Sequence, residues 1–369
     1  MRVTEVFKGE NCLKKNPDTL ILGSRALIVT GKNSAKVSGA FDDVTEVLNG
    51  KGVEYTVYDK MVENPTIESC IEASQLGREF GADFIIGIGG GSPLDACKAV
   101  ATFTAMPSLT IEGLYDAEIK KTSLPIAAIP LTAGTGSEVD KNSVLTLNNK
   151  KKTYVDDSVF PVTAYLDPRY LKTLNSDYTV ATAIDAFCHC IESYLSPKST
   201  PNSEKEALKG GKLIWDALTQ NDFLPNGDDA AGLTSETRLS MLEGAVCGGL
   251  ALTVTGTGFT HPLGYGLSLY YGIPHGKACG CFTGKYIELN MTTEEGSSRL
   301  MSFASYIGTT PEIIAAVIPA LSDVNLSLNE DEILGMAQKV SGAKNYLNSP
   351  YVLTDEKAVE IMTELLGNC

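Results

Sequence analysis

The stretch DFIIGIGGGSPLDACKAVA, residues 83–101, joins an apolar run, three consecutive glycines and an amphipathic segment. The apolar run has the length and composition of a buried strand, and the segment after the glycines has helical spacing. Ser92 fits a helix N-cap, Pro93 fits the first helical position, and Asp95 fits the acid of a capping box. The stretch therefore predicts a strand, a tight turn and a helix.

The same alternation extends through the first half of the chain. Amphipathic helices and apolar strands in alternation are typical of a parallel sheet with helices on both faces. Strands are predicted at RALIVTG (25–31), VEYTVYD (53–59) and LPIAAIPLTAG (124–134), and helices at 34–52 and 65–82. After about residue 177 only helical periodicities follow, at 203–220, 232–252, 294–306, 311–322, 330–341 and 355–366. We therefore expect an α/β domain over 1–177 and an all-helical domain over 178–369.

The composition excludes several classes of protein. The chain has 369 residues and a formal charge of −15, with 45 acidic against 30 basic side chains. Such a surface repels nucleic acids and anionic membranes. No apolar run reaches the ~18–20 residues that span a bilayer, and the first residues lack the apolar centre of a signal peptide. The nine cysteines show no C-x-x-C spacing, so we expect reduced thiols and a cytoplasmic location.

The glycines 89–91 allow a ligand to approach the backbone closely, and the following helix start favours an anion. A second loop rich in Gly, Thr and Ser, PLTAGTGSE (130–138), follows the next strand. Two such loops at the carboxyl ends of strands suit a dinucleotide. The alternative is a tight turn that binds no ligand.

The chain has only three histidines, at 189, 261 and 275. Asp185 and His189 are four residues apart in a helical stretch and so share one face, whereas Gly and Pro breaks separate the other two. One carboxylate and three imidazoles suit Fe(II), Zn(II), Mn(II) or Ni(II). Each histidine could equally be a hydrogen-bonded core residue. Glu192 could orient a ligand or simply be a solvated or packing acid.

Four motifs, GGGSPLDACKAVA, IPLTAGTGSE, DAFCHCIESY and H-x13-HG, occur in the order found in iron-containing (group III) alcohol dehydrogenases. The chain resembles that family over essentially its whole length. The resemblance implies the dehydroquinate synthase-like fold, with a dinucleotide-binding α/β domain and a helical metal-binding domain. It places Fe(II), or alternatively Zn(II) or Mn(II), on Asp185, His189, His261 and His275. It also implies a homodimer or a higher homo-oligomer.

The resemblance and the two loops together give an expected nucleotide site. Its residues are Gly31, Lys32, Asn33, Ser34, Asn64, Gly89, Gly90, Gly91, Ser92, Asp95, Thr132, Thr135 and Ser137. Members of the family that prefer NAD often carry an acid where this chain has Gly31. Lys32 and Ser34 offer a cation and a hydroxyl for a 2′-phosphate, so we expect NADP(H) to be preferred over NAD(H).

The chain departs from the family pattern at three positions. Tyr265 stands where many members have a proton-relaying histidine, and we expect its hydroxyl to act in catalysis. Leu131 replaces the first Thr of TTAGTGSE, and Cys279 replaces the Asn of HG-x-AN. The cysteines 188, 190 and 281 stand where relatives have small or apolar residues, and we expect them not to be metal ligands.

The function implied is metal-dependent interconversion of a primary alcohol and its aldehyde, with hydride transfer to or from NAD(P)(H). Two alternatives remain open at this point. One is a glycerol dehydrogenase-like polyol oxidoreductase, or a related lyase of the same superfamily. The other is a non-catalytic sensor that binds a metal and a nucleotide.

Overall fold

The computed structural model describes residues 4–221 and 232–368. They form two compact units. The first comprises the chain up to Leu174 together with Thr234–Leu242, and the second comprises Asn175–Leu233 and the chain from Glu243 onward. The single boundary predicted after residue 177 would assign Thr234–Leu242 to the second domain, whereas the structure assigns this segment to the first unit. Within this segment, the buried guanidinium of Arg238 donates to the Leu171 carbonyl of the first unit at 3.0 Å.

A six-stranded parallel sheet forms the first unit, in the order β1-β8-β5-β4-β2-β3. Its central strands are apolar because helices cover both faces. A separate antiparallel hairpin is formed by β6 and β7. The strands are β1 (Glu5–Lys8), β2 (Arg25–Gly31), β3 (Glu54–Met61), β4 (Phe84–Gly89), β5 (Ile126–Pro130), β6 (Asn142–Leu147), β7 (Lys150–Val155) and β8 (Thr163–Leu166).

The predicted strands β2 to β5 are confirmed, whereas β1, β8 and the hairpin were missed. β1 and β8 have only four residues each, too few to show a period. The hairpin turns at Asn148 and Asn149, which both have positive φ, and the lysines of β7 hide its alternation. Paired Asn residues at positive φ are a known hairpin turn signal.

The helices of the first unit are α1 (Cys12–Lys15), α2 (Ser34–Val37), α3 (Ala40–Gly50), α4 (Ile67–Phe80), α5 (Gly91–Ala105) and α6 (Ile111–Tyr115). The single helix predicted over 34–52 is two helices, because Gly39 adopts a φ of 81° between them.

The predicted start of α5 is also corrected. α5 begins at Gly91 with Gly90 as its N-cap, so Ser92 and Pro93 lie inside the first turn. Ser92 Oγ instead accepts a hydrogen bond from the Asn64 amide at 3.2 Å. Asp95 does not complete a capping box, because its carboxylate accepts from the Ser137 hydroxyl and the Val144 amide.

A buried lysine ties α5 to the loop after β5. Lys98 is fully buried, and its ammonium contacts Asp140, the Ser137 hydroxyl at 2.7 Å and the Asn142 carbonyl at 2.6 Å. A buried ammonium is tolerated only when paired in this way. The contacts fix the 130–142 loop against the middle of α5.

Glu138 lies in the same loop and is only 1% exposed. Among the described residues, its Oε1 has no hydrogen-bond partner. Burial raises the pKa of the Glu138 carboxyl to about 7. The loop therefore carries a carboxyl that folding keeps protonated at mildly acidic pH.

The second unit is helical, and with the sheet of the first unit it confirms the predicted fold class. Its helices are α7 (Ser176–Leu195), α8 (Pro201–Thr219), α9 (Ser235–Thr255), α10 (Thr260–Tyr271), α11 (His275–Gly280), α12 (Thr283–Met291), α13 (Glu294–Ile307), α14 (Pro311–Ser322), α15 (Glu330–Val340) and α16 (Asp355–Leu366). The first residues of α9 belong to the first unit. The short helices α10 to α12 were not predicted, because most of their residues are buried and leave no polar face to give a period.

Gly276 allows α11 to lie directly on α7. A Cβ at this position would stand 1.7 Å from the Ala181 carbonyl oxygen and 2.9 Å from the Asp185 amide nitrogen. No side chain fits between two backbones at that distance. The contact holds the start of α11 beside the middle of α7.

Among the described residues, no single helix is long and apolar enough to cross a membrane. Two helix pairs meet the criterion of length and composition only when joined, α9 with α10 and α13 with α14. These pairs bend by 115° and 73°, respectively.

We predict that Glu138→Gln changes the pH dependence of stability. The folded protein binds the Glu138 proton more tightly than the unfolded chain, so wild-type stability falls as pH rises from about 4.5 to about 7. Glutamine does not titrate, so the free energy of unfolding of the variant should not fall in this way. Relative to the wild type it should rise by up to about 3 kcal/mol between these pH values. Denaturant unfolding at several pH values measures the difference. The exposed Glu118→Gln variant is the control, and a constant wild-type-to-variant difference would contradict the assignment.

We also predict that Gly276→Ala destabilises the second unit by about 1–3 kcal/mol or more, because the helices must separate to admit a methyl group. Gly335→Ala is the matched control. Its Cβ would meet nothing within 4 Å in α15, so it should stabilise by up to about 1 kcal/mol. Thermal denaturation compares the two variants. Equal effects of the two substitutions would refute the close approach.

Candidate functional site

One face of α7 carries three buried polar side chains. Asp185, His189 and Glu192 follow one another at helical spacing and are exposed by 3%, 6% and 0%. Asn175 caps the helix, because its side chain accepts from the Tyr178 amide at 2.9 Å. A capped and buried helix holds these groups rigidly.

The starts of α10 and α11 bring the other two histidines to that face. His261 is the second residue of α10, and His275 is the first residue of α11. The Nε2 atoms of His189, His261 and His275 lie 3.6, 3.6 and 3.9 Å from Asp185 Oδ1. The structure thus brings together all four residues that the sequence proposed as metal ligands.

The donors fit a divalent cation. Among the described residues, Asp185 Oδ1 and His261 Nε2 are buried without a hydrogen-bond partner. Their separation of 3.6 Å is too long for a hydrogen bond but suits two donors that share one ion. A buried polar atom without a partner lowers stability, and a bound metal would give Asp185 Oδ1 and His261 Nε2 a shared partner. The group of donors also includes Cys279, with Asp185, His261 and His275.

Glu192 orients His261. Its Oε2 lies 2.6 Å from His261 Nδ1, and its Oε1 accepts from the Thr260 amide at 3.1 Å and hydroxyl at 2.6 Å. The 2.6 Å contact is an ion pair that favours a proton on Nδ1, although neither atom makes a hydrogen bond of good geometry among the described residues. If a metal replaces the proton on Nε2, the lone pair of that atom would face Asp185. Of the two sequence hypotheses for Glu192, the structure favours the orienting role.

Opposite charges dominate the electrostatics of this face. Burial raises the pKa of Asp185, but the facing histidines outweigh it and hold the pKa below its ordinary value. Burial lowers the pKa of His261, while Glu192 and Asp185 raise it to about 9. Burial likewise opposes ionisation of Glu192, yet His261 and Thr260 leave its pKa lowered. The two carboxylates are therefore ionised and attract positive charge.

Tyr265 lies one turn after His261 on α10. Its ring stacks on the His275 ring, with centroids 6.0 Å apart and an interplanar angle of 29°. Burial raises the pKa of the Tyr265 hydroxyl above its usual value. The phenol therefore keeps its proton near neutral pH and can donate a hydrogen bond.

The cysteines flanking the histidine motif point to other neighbours. Cys188 Sγ lies 3.4 Å from the Thr283 hydroxyl, and Cys281 Sγ lies 3.3 Å from the Ala278 carbonyl oxygen. A Cβ at Gly210 would contact both Cys190 and Cys247. These contacts agree with the expectation that cysteines 188, 190 and 281 are packing residues.

The two Gly-rich loops of the first unit pack against each other. A Cβ at Gly90 would stand 3.1 Å from the Thr132 side chain, and one at Gly91 would stand 2.4 Å from that of Thr135. A Cβ at Gly89 would meet the Pro93 ring at 2.4 Å. Packing alone thus requires at least two of the three glycines, so their number was weaker evidence for phosphate than the sequence suggested.

The start of α5 is compatible with an anion. No described side chain caps α5, so its first amides could meet a ligand. The missing cap does not single out α5, because α2, α3, α10, α11 and α12 also lack a side-chain cap. Asn64 joins this region through its hydrogen bond to Ser92, and Asp95 and Ser137 bond to each other.

The segment Gly31–Ser34 ends β2 and begins α2. Lys32, Asn33 and Ser34 are exposed. A Cβ at Gly31 would come no closer than 3.4 Å to the Met61 carbonyl oxygen, and Gly31 has no positive φ. The fold would therefore accept a side chain at 31.

Sequence reasoning missed Lys98, Asp140 and Glu138 in the first unit and the proximity of Cys279 to the histidines in the second. An i,i+4 spacing from His275 was the available signal for Cys279. For Lys98 the sequence offered none, because a lysine in an amphipathic segment normally indicates an exposed position.

Two family models match the chain. The iron-containing alcohol dehydrogenase model matches residues 3–168, and the C-terminal model of the same family matches residues 179–365. Alcohol dehydrogenase 4 of Saccharomyces cerevisiae is 30% identical over 96% of this chain and 95% of its own length.

Solved structures agree. An iron-containing alcohol dehydrogenase from Thermotoga maritima is 35% identical, with a TM-score of 0.89 and 98% of each chain covered. Sulfoacetaldehyde reductase from Bifidobacterium kashiwanohense, solved with NAD+, is 26% identical, with a TM-score of 0.86 and coverage of 99% of this chain and 97% of that one. The chain is an oxidoreductase that belongs to the iron-containing alcohol dehydrogenase family.

Proposed function

We propose that the protein interconverts a primary alcohol and its aldehyde with a nicotinamide cofactor and a divalent metal. The observation that carries this is the convergence of three histidine Nε2 atoms within 3.9 Å of one buried carboxylate oxygen. Asp185, His189, His261 and His275 would hold the metal, which is Fe(II), with Zn(II) or Mn(II) as alternatives. When bound, the metal supplies a Lewis acid for the substrate oxygen and the nicotinamide supplies or accepts the hydride.

The residues of the chain hold and orient these groups. Glu192 keeps the His261 proton on Nδ1, and the Gly276 contact keeps His275 beside Asp185. The burial of Asp185 and His261 limits competition from water, which strengthens their attraction for a cation. Tyr265 is our candidate for the group that donates or accepts the substrate proton through its hydroxyl.

For the nucleotide we propose the loops around the starts of α2 and α5. The uncapped amides of α5 would receive the phosphates. We propose a preference for NADP(H), because Gly31 places no negative charge beside the ribose and Lys32 is exposed next to it. Lys36, in contrast, is already paired with Asp59 at 3.1 Å.

The oligomeric state and location are also proposals. We propose a homodimer or higher homo-oligomer in the cytoplasm, acting on small-molecule alcohols or aldehydes. Light scattering measures the oligomeric state.

A polyol oxidoreductase is the alternative enzyme, and a comparison of glycerol with butanol as substrates distinguishes the two. A sensor would bind metal and nucleotide but would turn over neither butanol nor butyraldehyde with either cofactor.

We predict that His261→Ala loses bound metal and activity together, because His261 lies between the two buried carboxylates of the centre. The variant should be less stable, since Glu192 loses a partner, but should keep its fold. Metal analysis of the purified variant and its turnover of butyraldehyde are the measurements, with circular dichroism to follow the fold. Full metal occupancy with near-normal turnover would remove His261 from the centre.

We predict that Tyr265→Phe lowers kcat by about 10²-fold or more and alters its pH profile, with metal content unchanged, because a general acid–base group contributes about 10²–10⁴-fold. Tyr270→Phe is the matched control, since Tyr270 is exposed on the same helix. Unaltered kcat and pH profile in the Tyr265 variant would leave this residue a packing role.

We predict that Lys32→Ala weakens NADP(H) selectively, by about 1–3 kcal/mol, or roughly 5- to 150-fold in kcat/KM. NAD(H) lacks the 2′-phosphate and should be little affected. Steady-state kinetics with both cofactors measures the ratio, and Lys36→Ala is the control for removal of a nearby charge. A wild type with much higher kcat/KM for NAD(H) would overturn the proposed preference.

A further inference from the structure

One buried side chain joins the end of α7 to the chain that leads into α10. Asn348 is 2% exposed, and its Oδ1 accepts a hydrogen bond from the Ser196 hydroxyl at 2.7 Å. Its Nδ2 donates to the carbonyls of Thr255 and Thr257, both at 3.0 Å. Ser196 is the C-cap of α7, and Thr255 is the last residue of α9. Asn348 thus bridges the end of α7 and the linker 256–259 between α9 and α10.

The linker reaches the proposed metal centre within a few residues. A Cβ at Gly258 would stand 2.9 Å from Glu192 Oε1, so the backbone of the linker lies directly on that carboxylate. Thr260 follows the linker and donates its amide and its hydroxyl to the same oxygen. His261 is the next residue in the chain. The path of the linker therefore determines where His261 stands relative to α7.

The sequence of the linker does little to fix that path. Two of its four residues are glycines, and Gly256 has a φ of 71°. Glycine restricts the backbone less than any other residue, so contacts from outside must hold the linker. Asn345 donates to the Thr257 carbonyl at 3.0 Å and to its hydroxyl at 2.8 Å, and Asn348 donates to the same carbonyl.

A second hydrogen bond supports this joint. The Thr255 hydroxyl donates to the Ser193 hydroxyl at 3.0 Å, and Ser193 follows Glu192 on α7. None of the side chains of the joint is a proposed metal ligand. An effect of Asn348 on the centre must therefore come from the placement of the helices and not from contact with the ion.

We propose that Asn348 is a positioning residue of the metal centre, which holds the start of α10 against the end of α7. Asp185 and His189 are placed by one helix, whereas His261 belongs to another. The separation of the ligands depends on the joint between the two helices, and metal affinity depends on that separation. The inference rests on the metal centre of the proposed function and adds to it a residue outside the ligand set.

The zinc affinity of metal-free full-length protein tests the proposal, measured by competition with a chromophoric chelator. Asn348→Ala should weaken Zn(II) binding about 10-fold or more, because changes to groups that orient metal ligands typically cost about 10–100-fold in affinity. The visible absorption of bound Co(II), which depends on the geometry of its ligands, should change as well.

Asn329→Ala is the matched control for loss of stability. Asn329 is exposed and caps α15, where its side chain accepts from the Glu332 amide at 3.0 Å. Loss of this cap should lower thermal stability. Because Asn329 makes no bond to the linker, the zinc affinity and the Co(II) spectrum should stay those of the wild type.

Ser196→Ala removes the same bridge from the side of α7, and it serves if Asn348→Ala does not fold. It should also weaken zinc binding, and the double variant should bind no more weakly than Asn348→Ala alone. Wild-type zinc affinity in the bridge variants that fold, or an equal loss in Asn329→Ala, would overturn the role of Asn348 and leave the centre intact. Wild-type protein that binds no stoichiometric zinc would overturn both.

Discussion

Asp185 and Glu192 are two carboxylates buried on one face of α7, and the helices around them are arranged to offset that burial. Removing a charged group from water costs several kcal/mol per ion unless partners replace the water. Thr260 and His261, at the start of α10, supply the partners of Glu192. Among the described residues, Asp185 Oδ1 faces three imidazoles and has no hydrogen-bond partner, so a bound cation would complete its compensation.

The first unit meets the same constraint with a different residue. Lys98 is the buried cation there, and Asp140, Ser137 and the Asn142 carbonyl surround it. It holds the loop after β5 against the middle of α5, two turns beyond the first residues, which no described side chain caps. In the first unit the buried carboxylate is balanced by Lys98, and in the second unit a bound cation would balance Asp185.

Hydrophobic periodicity predicted the elements that keep the same pattern of burial along their whole length. The central strands, buried on both faces, and amphipathic helices such as α14 and α16 agree with prediction. Periodicity failed for α11, where four of the six residues are buried, and for the hairpin of β6 and β7 with its lysines. The proposed metal ligands came from motifs, because three histidines in separated segments share no local pattern. The sulfur of Cys279 and the ammonium of Lys98 depend on tertiary packing, which no local pattern encodes.

The placement of Thr234–Leu242 has a consequence for dissecting the molecule. The chain leaves the first unit after Leu174, returns to it for these nine residues, and departs again within α9. A fragment that stops at residue 177 would lack Arg238 and expose the Leu171 carbonyl that it binds. The complementary fragment would carry Arg238, which is buried in the intact chain, without the Leu171 carbonyl to which it donates. Because α9 contributes its first residues to the first unit and the rest to the second, a single cut in the chain does not yield either unit whole.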